Sequence, residues 1–183
     1  MSAPRQGLSD LRQKPSADIG IFTIFAGISK SCVIGTKVAQ KNSMAETDDQ
    51  TGTYFIRVGG APAVSRIVDA FYSRMDRLAE ARVIRAMHQE DLGPTKAILK
   101  DYLGEWLGGP TLYSQKRGNP RLRMRHARFA IGPAERDAWM ACMRGALQDA
   151  VPGEGIRRNI EQKLYRLADW VRNDEDNPHD KNL

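Results

Sequence analysis

Three histidines occur in this 183-residue chain, and one of them, His126, lies in the run PRLRMRHARF at residues 120–129 beside Arg121, Arg123, Arg125 and Arg128. Four guanidiniums in ten residues make an anion-binding patch or a solvated helix face. An imidazole there is either incidental or the ligand of a metal whose cofactor carries the acidic groups that the arginines pair with. Leu122, Met124 and Phe129 add an apolar wall of the kind a flat hydrophobic group needs. Haem joins an apolar macrocycle, two propionates and an iron that takes a neutral imidazole. Read without the histidine, the same arginines serve equally well as a nucleic-acid face, with binding that falls steeply with salt.

Other residues able to do chemistry are few. His88, in RVIRAMHQEDL, follows an apolar stretch and precedes an acidic turn, a position that also suits a helix cap. Tyr72 falls on an apolar stripe, where a phenol normally finds a hydrogen-bond partner, and Trp139 heads another and brings one indole donor. His179 sits in the polar carboxy-terminal run. There is no HExxH, GxSxG, phosphate-loop or GxGxxG pattern, so the common hydrolase and nucleotide-binding templates find no support. Cys32 and Cys142 are far apart and outside any CxxC spacing, which argues against a disulfide framework and for a reducing, cytoplasmic setting.

The elements that must position these groups are helical. After Gly59-Gly60, the residues Val64, Ile67, Val68, Phe71, Tyr72 and Met75 recur at helical spacing. A second stripe runs through Ile98, Leu99, Tyr102, Leu103, Trp106 and Leu107 until Gly108-Gly109-Pro110 stops it. Pro120 suits the first turn of a short helix carrying His126. Trp139, Cys142, Met143, Ala146 and Leu147 mark a further helix, and Ile156, Ile160, Leu164, Leu167 and Val171 the last. The reading is an all-α domain over residues 51–173 with four substantial helices and a short fifth, followed by a polar tail at 174–183 without order of its own. Residues 1–50 read as an extension. Its apolar run IGIFTIFAGI is too short to span a bilayer, and Met44 opens the structured part cleanly enough to be the true start. A net charge of +6 and a pI near 9.5 allow an anionic partner, be it nucleic acid, acidic lipid or an anionic cofactor.

In chain order, VGGAPAVSRIVDAFYSRM, IRAMHQEDL, YLGEWLGGPTLYSQKRGNPRLRMRH and ERDAWMACMRGAL resemble the group II truncated haemoglobins, compact globins with a two-over-two helical sandwich. The resemblance covers about residues 54–172, two thirds of the chain, and WLGGPxLY followed by PRLRxRH and ERDAWxxCM is specific. It implies a haem b cofactor with His126 as the proximal iron ligand and Arg125 and Tyr113 at the propionates, where the arginine cluster read by itself also offers Arg123 as a partner for the carboxylates. Tyr72, His88 and Trp139 then correspond to the polar distal positions, and Phe71, Thr95, Leu99, Leu103, Met124 and Phe129 to pocket walls. Three positions depart from the family pattern: Asn119 and Arg128 stand where members carry histidine and proline, and His88 where others carry tyrosine or phenylalanine. The function implied is reversible binding of dioxygen, carbon monoxide or nitric oxide, with hydrogen bonds from Tyr72, Trp139 and His88 slowing oxygen release. The alternative is a peroxidase or nitric-oxide dioxygenase served by a separate reductase, since no flavin or nicotinamide motif is present. The expected protein is a cytoplasmic monomer or homodimer with no nucleic-acid or membrane partner.

Overall fold

Gly59 adopts a left-handed conformation, φ 105°, that costs glycine little, and so it closes α1 (Tyr54–Val58) and opens α2 (Gly60–Arg77) in a single residue. The computed structural model describes residues 52–179; the expectations for the amino-terminal extension, its apolar run and Met44, and for the last four residues, lie outside the described residues. After α2 the chain passes through a short 3-10 turn (Ala79–Ala81) into α3 (Arg82–Ala86), then α4 (Gly93–Trp106), α5 (Leu112–Arg117), α6 (Leu122–His126), α7 (Pro133–Ala150) and α8 (Glu154–Val171). No strand occurs among the described residues.

The four long helices are those the stripes predict. Pro94 and Pro133 stand in the first turns of α4 and α7, where a missing N–H is harmless. At α4 the Asp91 carboxylate accepts the Gly93 N–H at 2.8 Å, and at α7 the Glu135 carboxylate accepts the Gly132 N–H at 2.9 Å. Gly109, just beyond α4, passes so close to α1 that a Cβ there would lie 2.7 Å from the Phe55 ring. The short helices differ from expectation. Three further single-turn helices, α1, α3 and α5, accompany α6, because five or six residues are too few to display a period. Pro120 is buried two residues before α6 rather than in its first turn, since Arg121 between them is left-handed (φ 40°, ψ 55°) and cannot continue a helix.

Helices α2 and α4 pack together, α7 and α8 pack together, and α2 lies across α7 to join the two pairs. Ile67, Val68, Phe71 and Met75 of α2 share one core with Met143, Ala146 and Leu147 of α7 and Ile160 and Leu164 of α8. Gly145 makes the crossing close, because a Cβ there would stand 2.6 Å from the Arg74 guanidinium. This is the two-over-two arrangement. The carboxy-terminal end departs from the reading as a tail without order. Arg172 is buried and bonds both Asp169 and Asp174, and Asn177 is fully buried with its side-chain amide on the Arg172 carbonyl.

Candidate functional site

The helix that carries His126 is one turn long, so its neighbours have to hold it. Asn119 accepts the Arg121 N–H at 3.2 Å across Pro120, and Arg121, whose carbonyl accepts the Arg125 N–H at 3.1 Å, is the sole non-glycine residue with positive φ among those described. Conformations of this kind persist where the surrounding structure over-determines them, and they cluster at ligand sites. Beyond the helix, Asn173 grips the chain from the end of α8. Its Oδ1 accepts the Ile131 N–H at 2.9 Å, its Nδ2 donates to the carbonyls of Phe129 (2.7 Å) and His126 (3.3 Å), and its N–H donates to Ile131 O at 3.0 Å.

The His126 Nδ1 lies 2.8 Å from the Leu122 carbonyl one turn back. A carbonyl oxygen only accepts, so the ring proton resides on Nδ1, and Nε2 keeps the lone pair that a metal requires. Burial pushes the His126 pKa below that of a free imidazole, against the backbone hydrogen bond that favours the charged ring, so the ring is neutral at neutral pH. His88, which lines the same cavity, repeats the geometry, with Nδ1 2.7 Å from the Ile84 carbonyl and a pKa lowered by burial. Tyr72 packs edge-on to it, with ring centroids 5.7 Å apart, and burial raises the phenol's pKa far enough that it stays protonated. Phe71 sits behind this group, 4.9 Å from the Tyr72 ring and 5.3 Å from that of Trp139.

Tyr72, His88, His126 and Trp139 line one cavity that holds about 910 Å³ of empty space when the open solvent at its mouth is included. Of the site residues expected from sequence, Tyr72, His88, Leu99, His126, Phe129 and Trp139 line it. Phe71, Thr95 and Leu103 are buried behind the lining. Tyr113, fully buried, packs edge-on at 5.8 Å against Tyr102, which does line the cavity. Arg123 and Arg125 are half-buried outside it, with Arg123 over the Trp170 ring at 5.8 Å. Met124 is a correction. It is 68% exposed and forms no wall, because residues two apart on a helix point to opposite sides and His126 faces inward. Leu122, four residues before His126, shares its face and fills that role.

The sequence reading missed Ile84, Met87, Ile131, Glu135, Arg136 and Ala168 as lining residues. Arg136 binds Asp169 of α8 at 2.5 Å, at the same end of the site as Asn173. No local signal marks Arg136 or Ile131, whose partners Asp169 and Asn173 lie 33 and 42 positions away.

A family model, "Bacterial-like globin", matches residues 53–173. The chain belongs to this globin family. Within it the similarity is to group II truncated haemoglobins, as the sequence motifs implied. The globin is 35% identical over 106 residues to the group 2 truncated hemoglobin YjbI of Bacillus subtilis (strain 168), which spans 58% of this chain and 75% of that protein. Its fold is similar to the group II 2-on-2 hemoglobin of Agrobacterium tumefaciens, with a TM-score of 0.66 and 40% identity over 70% of this chain and 100% of that one. The hemoglobin of Chloroflexus aurantiacus gives a TM-score of 0.62 and 41% identity over 67% of this chain and 99% of that one.

The globin's residues fit the haem that its family implies. A neutral imidazole with a pinned Nδ1–H and a free Nε2 lone pair opens on a cleft walled by Ile98, Leu99, Leu122, Phe129, Leu167 and Val171. Among the described residues no cluster of three or more His, Cys, Asp or Glu side chains able to hold a metal ion occurs. No helix among them is long and apolar enough to cross a membrane.

Proposed function

We propose that this globin would hold haem b through His126 Nε2 and reversibly take up dioxygen and other diatomic ligands in the cavity that Tyr72, His88 and Trp139 share with that histidine. When bound, haem supplies an iron centre able to hold a diatomic ligand. The chain's own residues do the rest. The observation that carries the reading is the His126 ring, fixed to the Leu122 carbonyl and presented to a largely apolar cavity that Tyr72, His88 and Trp139 also line.

In that cavity the Tyr72 hydroxyl and the Trp139 indole N–H are hydrogen-bond donors among mostly apolar walls. Two such bonds to a partly negative diatomic ligand, at about 1.5 kcal/mol each, slow its release roughly a hundredfold relative to an apolar pocket. Slow release suits scavenging, sensing or chemistry on the ligand better than shuttling. Turnover of nitric oxide would draw electrons from a separate reductase. The lack of an apolar spanning helix is compatible with a cytoplasmic location.

The test is the visible spectrum of the purified protein as isolated, after dithionite and after carbon monoxide. A Soret band that sharpens and shifts with carbon monoxide is expected. A colourless protein that also fails to take up added haemin overturns the reading and returns attention to the exposed arginines beside α6.

A further inference from the structure

Tyr72, His88 and Trp139, which share the cavity with His126, are not equivalent. Trp139 offers an N–H and nothing else, and Tyr72, kept protonated by burial, offers an O–H. His88 has already given its one proton away. Its Nδ1 stands 2.7 Å from the Ile84 carbonyl, an oxygen that cannot donate, so that nitrogen holds the hydrogen of the neutral ring. The other nitrogen, Nε2, is the edge left for the cavity that His88 lines, and there it is a bare lone pair. His88 therefore cannot serve as the third donor expected from the family resemblance.

We infer that His88 is the acceptor of the distal side and selects for a small ligand that brings its own hydrogen, hydrogen peroxide above all, over dioxygen or carbon monoxide. With Glu135 bonded to Gly132 N–H and Arg136 to Asp169, the donors Trp139 and Tyr72 and the acceptor His88 match a molecule that accepts at one end and donates at the other. Dioxygen and carbon monoxide only accept, so His88 Nε2 adds nothing to their binding. The H–O–O–H molecule can receive bonds from Trp139 and Tyr72 while giving one O–H to Nε2. Two features of the chain hold the acceptor in place. Its Nδ1 bond runs to a carbonyl in its own helical turn, and the Tyr72 ring stands edge-on at 5.7 Å, interplanar angle 77°. Burial adds that the ring is not converted to its two-donor charged form near neutral pH.

This rests on haem binding at His126, and the experiment separates the two. The full chain, labelled with 15N-histidine and held in its diamagnetic ferrous carbon-monoxide form, is examined by long-range 1H–15N NMR. The His88 signals are expected to show a protonated Nδ1 and an unprotonated Nε2. A protonated Nε2 overturns the proposal even if the protein is red. The tautomer can be read on the full chain as purified if it proves colourless, so failure of the haem reading stays distinct. In the haem-loaded protein, His88→Phe removes the acceptor. The rate of reaction with peroxide divided by the rate of carbon-monoxide association is expected to fall about tenfold, the worth of one hydrogen bond of about 1.4 kcal/mol. An unchanged ratio, or a resting low-spin spectrum abolished by the substitution because His88 itself holds the iron, overturns it.

Discussion

In the proposed function a single nitrogen, His126 Nε2, holds the haem, and its preparation is visible at the scale of one side chain. His126 has its Nδ1 committed to the Leu122 carbonyl at 2.8 Å and its basicity reduced by burial, so Nε2 is available at neutral pH without first losing a proton. His126→Ala is expected to abolish most haem retention during purification, and a normal five-coordinate ferrous spectrum in that variant, prepared without imidazole, would sink the assignment. On the other side Trp139 rests against Phe71 at 5.3 Å, which fixes the plane of the indole and the direction of its N–H. Trp139→Phe keeps the aromatic packing and removes one donor. Oxygen dissociation, followed by stopped-flow displacement with carbon monoxide, should quicken roughly tenfold for a bond of about 1.5 kcal/mol, and an unchanged rate would strike the indole from the donors.

Elements explain why these side chains stay where they are. Helices α2, α4, α7 and α8 were legible because their buried faces repeat over many turns, and Tyr72, Leu99 and Trp139 sit on or beside those faces. The one-turn α6 was legible only as a motif. Its facing was not, which is why Met124, read with Leu122 as one wall, turns to solvent while Leu122 lines the cavity. A helix that short has little stability of its own, and much of the hold on the segment behind it comes from Asn173. Asn173→Ala deletes the three side-chain bonds to residues 126–131 but leaves the backbone bond to Ile131 O. These bonds are exposed to water, so together they are worth about 1 kcal/mol, or roughly a fivefold change in local opening. Faster exchange of the Ile131 amide and severalfold faster haem loss to a scavenging apoglobin are expected. Unaltered protection and haem loss together would reduce Asn173 to a surface ornament.

At the scale of the whole molecule, the site closes through contacts between segments far apart in the chain, and that is the part sequence periodicity cannot carry. Asp169 of α8 receives Arg136 from α7 at 2.5 Å, Arg172 at 3.1 Å and His179 from the terminal segment at 3.3 Å, one carboxylate joining three pieces beside the cavity that Arg136 lines. Nothing in the spacing of these residues announces the junction, and the run after Val171 looks too polar to fold. Partial burial alone would raise the Asp169 pKa, but the hydrogen bonds from Arg136, Arg172 and His179 outweigh it and hold the carboxyl below its usual range. An aspartate in the unfolded chain titrates near about 3.9, above the folded value. The stability this group contributes is therefore complete above about pH 4 and is lost as the pH falls through the lower folded value. Asp169→Asn should be less stable than the wild type at pH 7 in urea unfolding, and the two should converge as the pH is lowered from 5 toward 2, since protonation does to the wild type what the substitution has already done. Curves that stay parallel over that range would mean that the carboxylate's charge contributes nothing and that the terminal segment is held by its buried amide and packing alone.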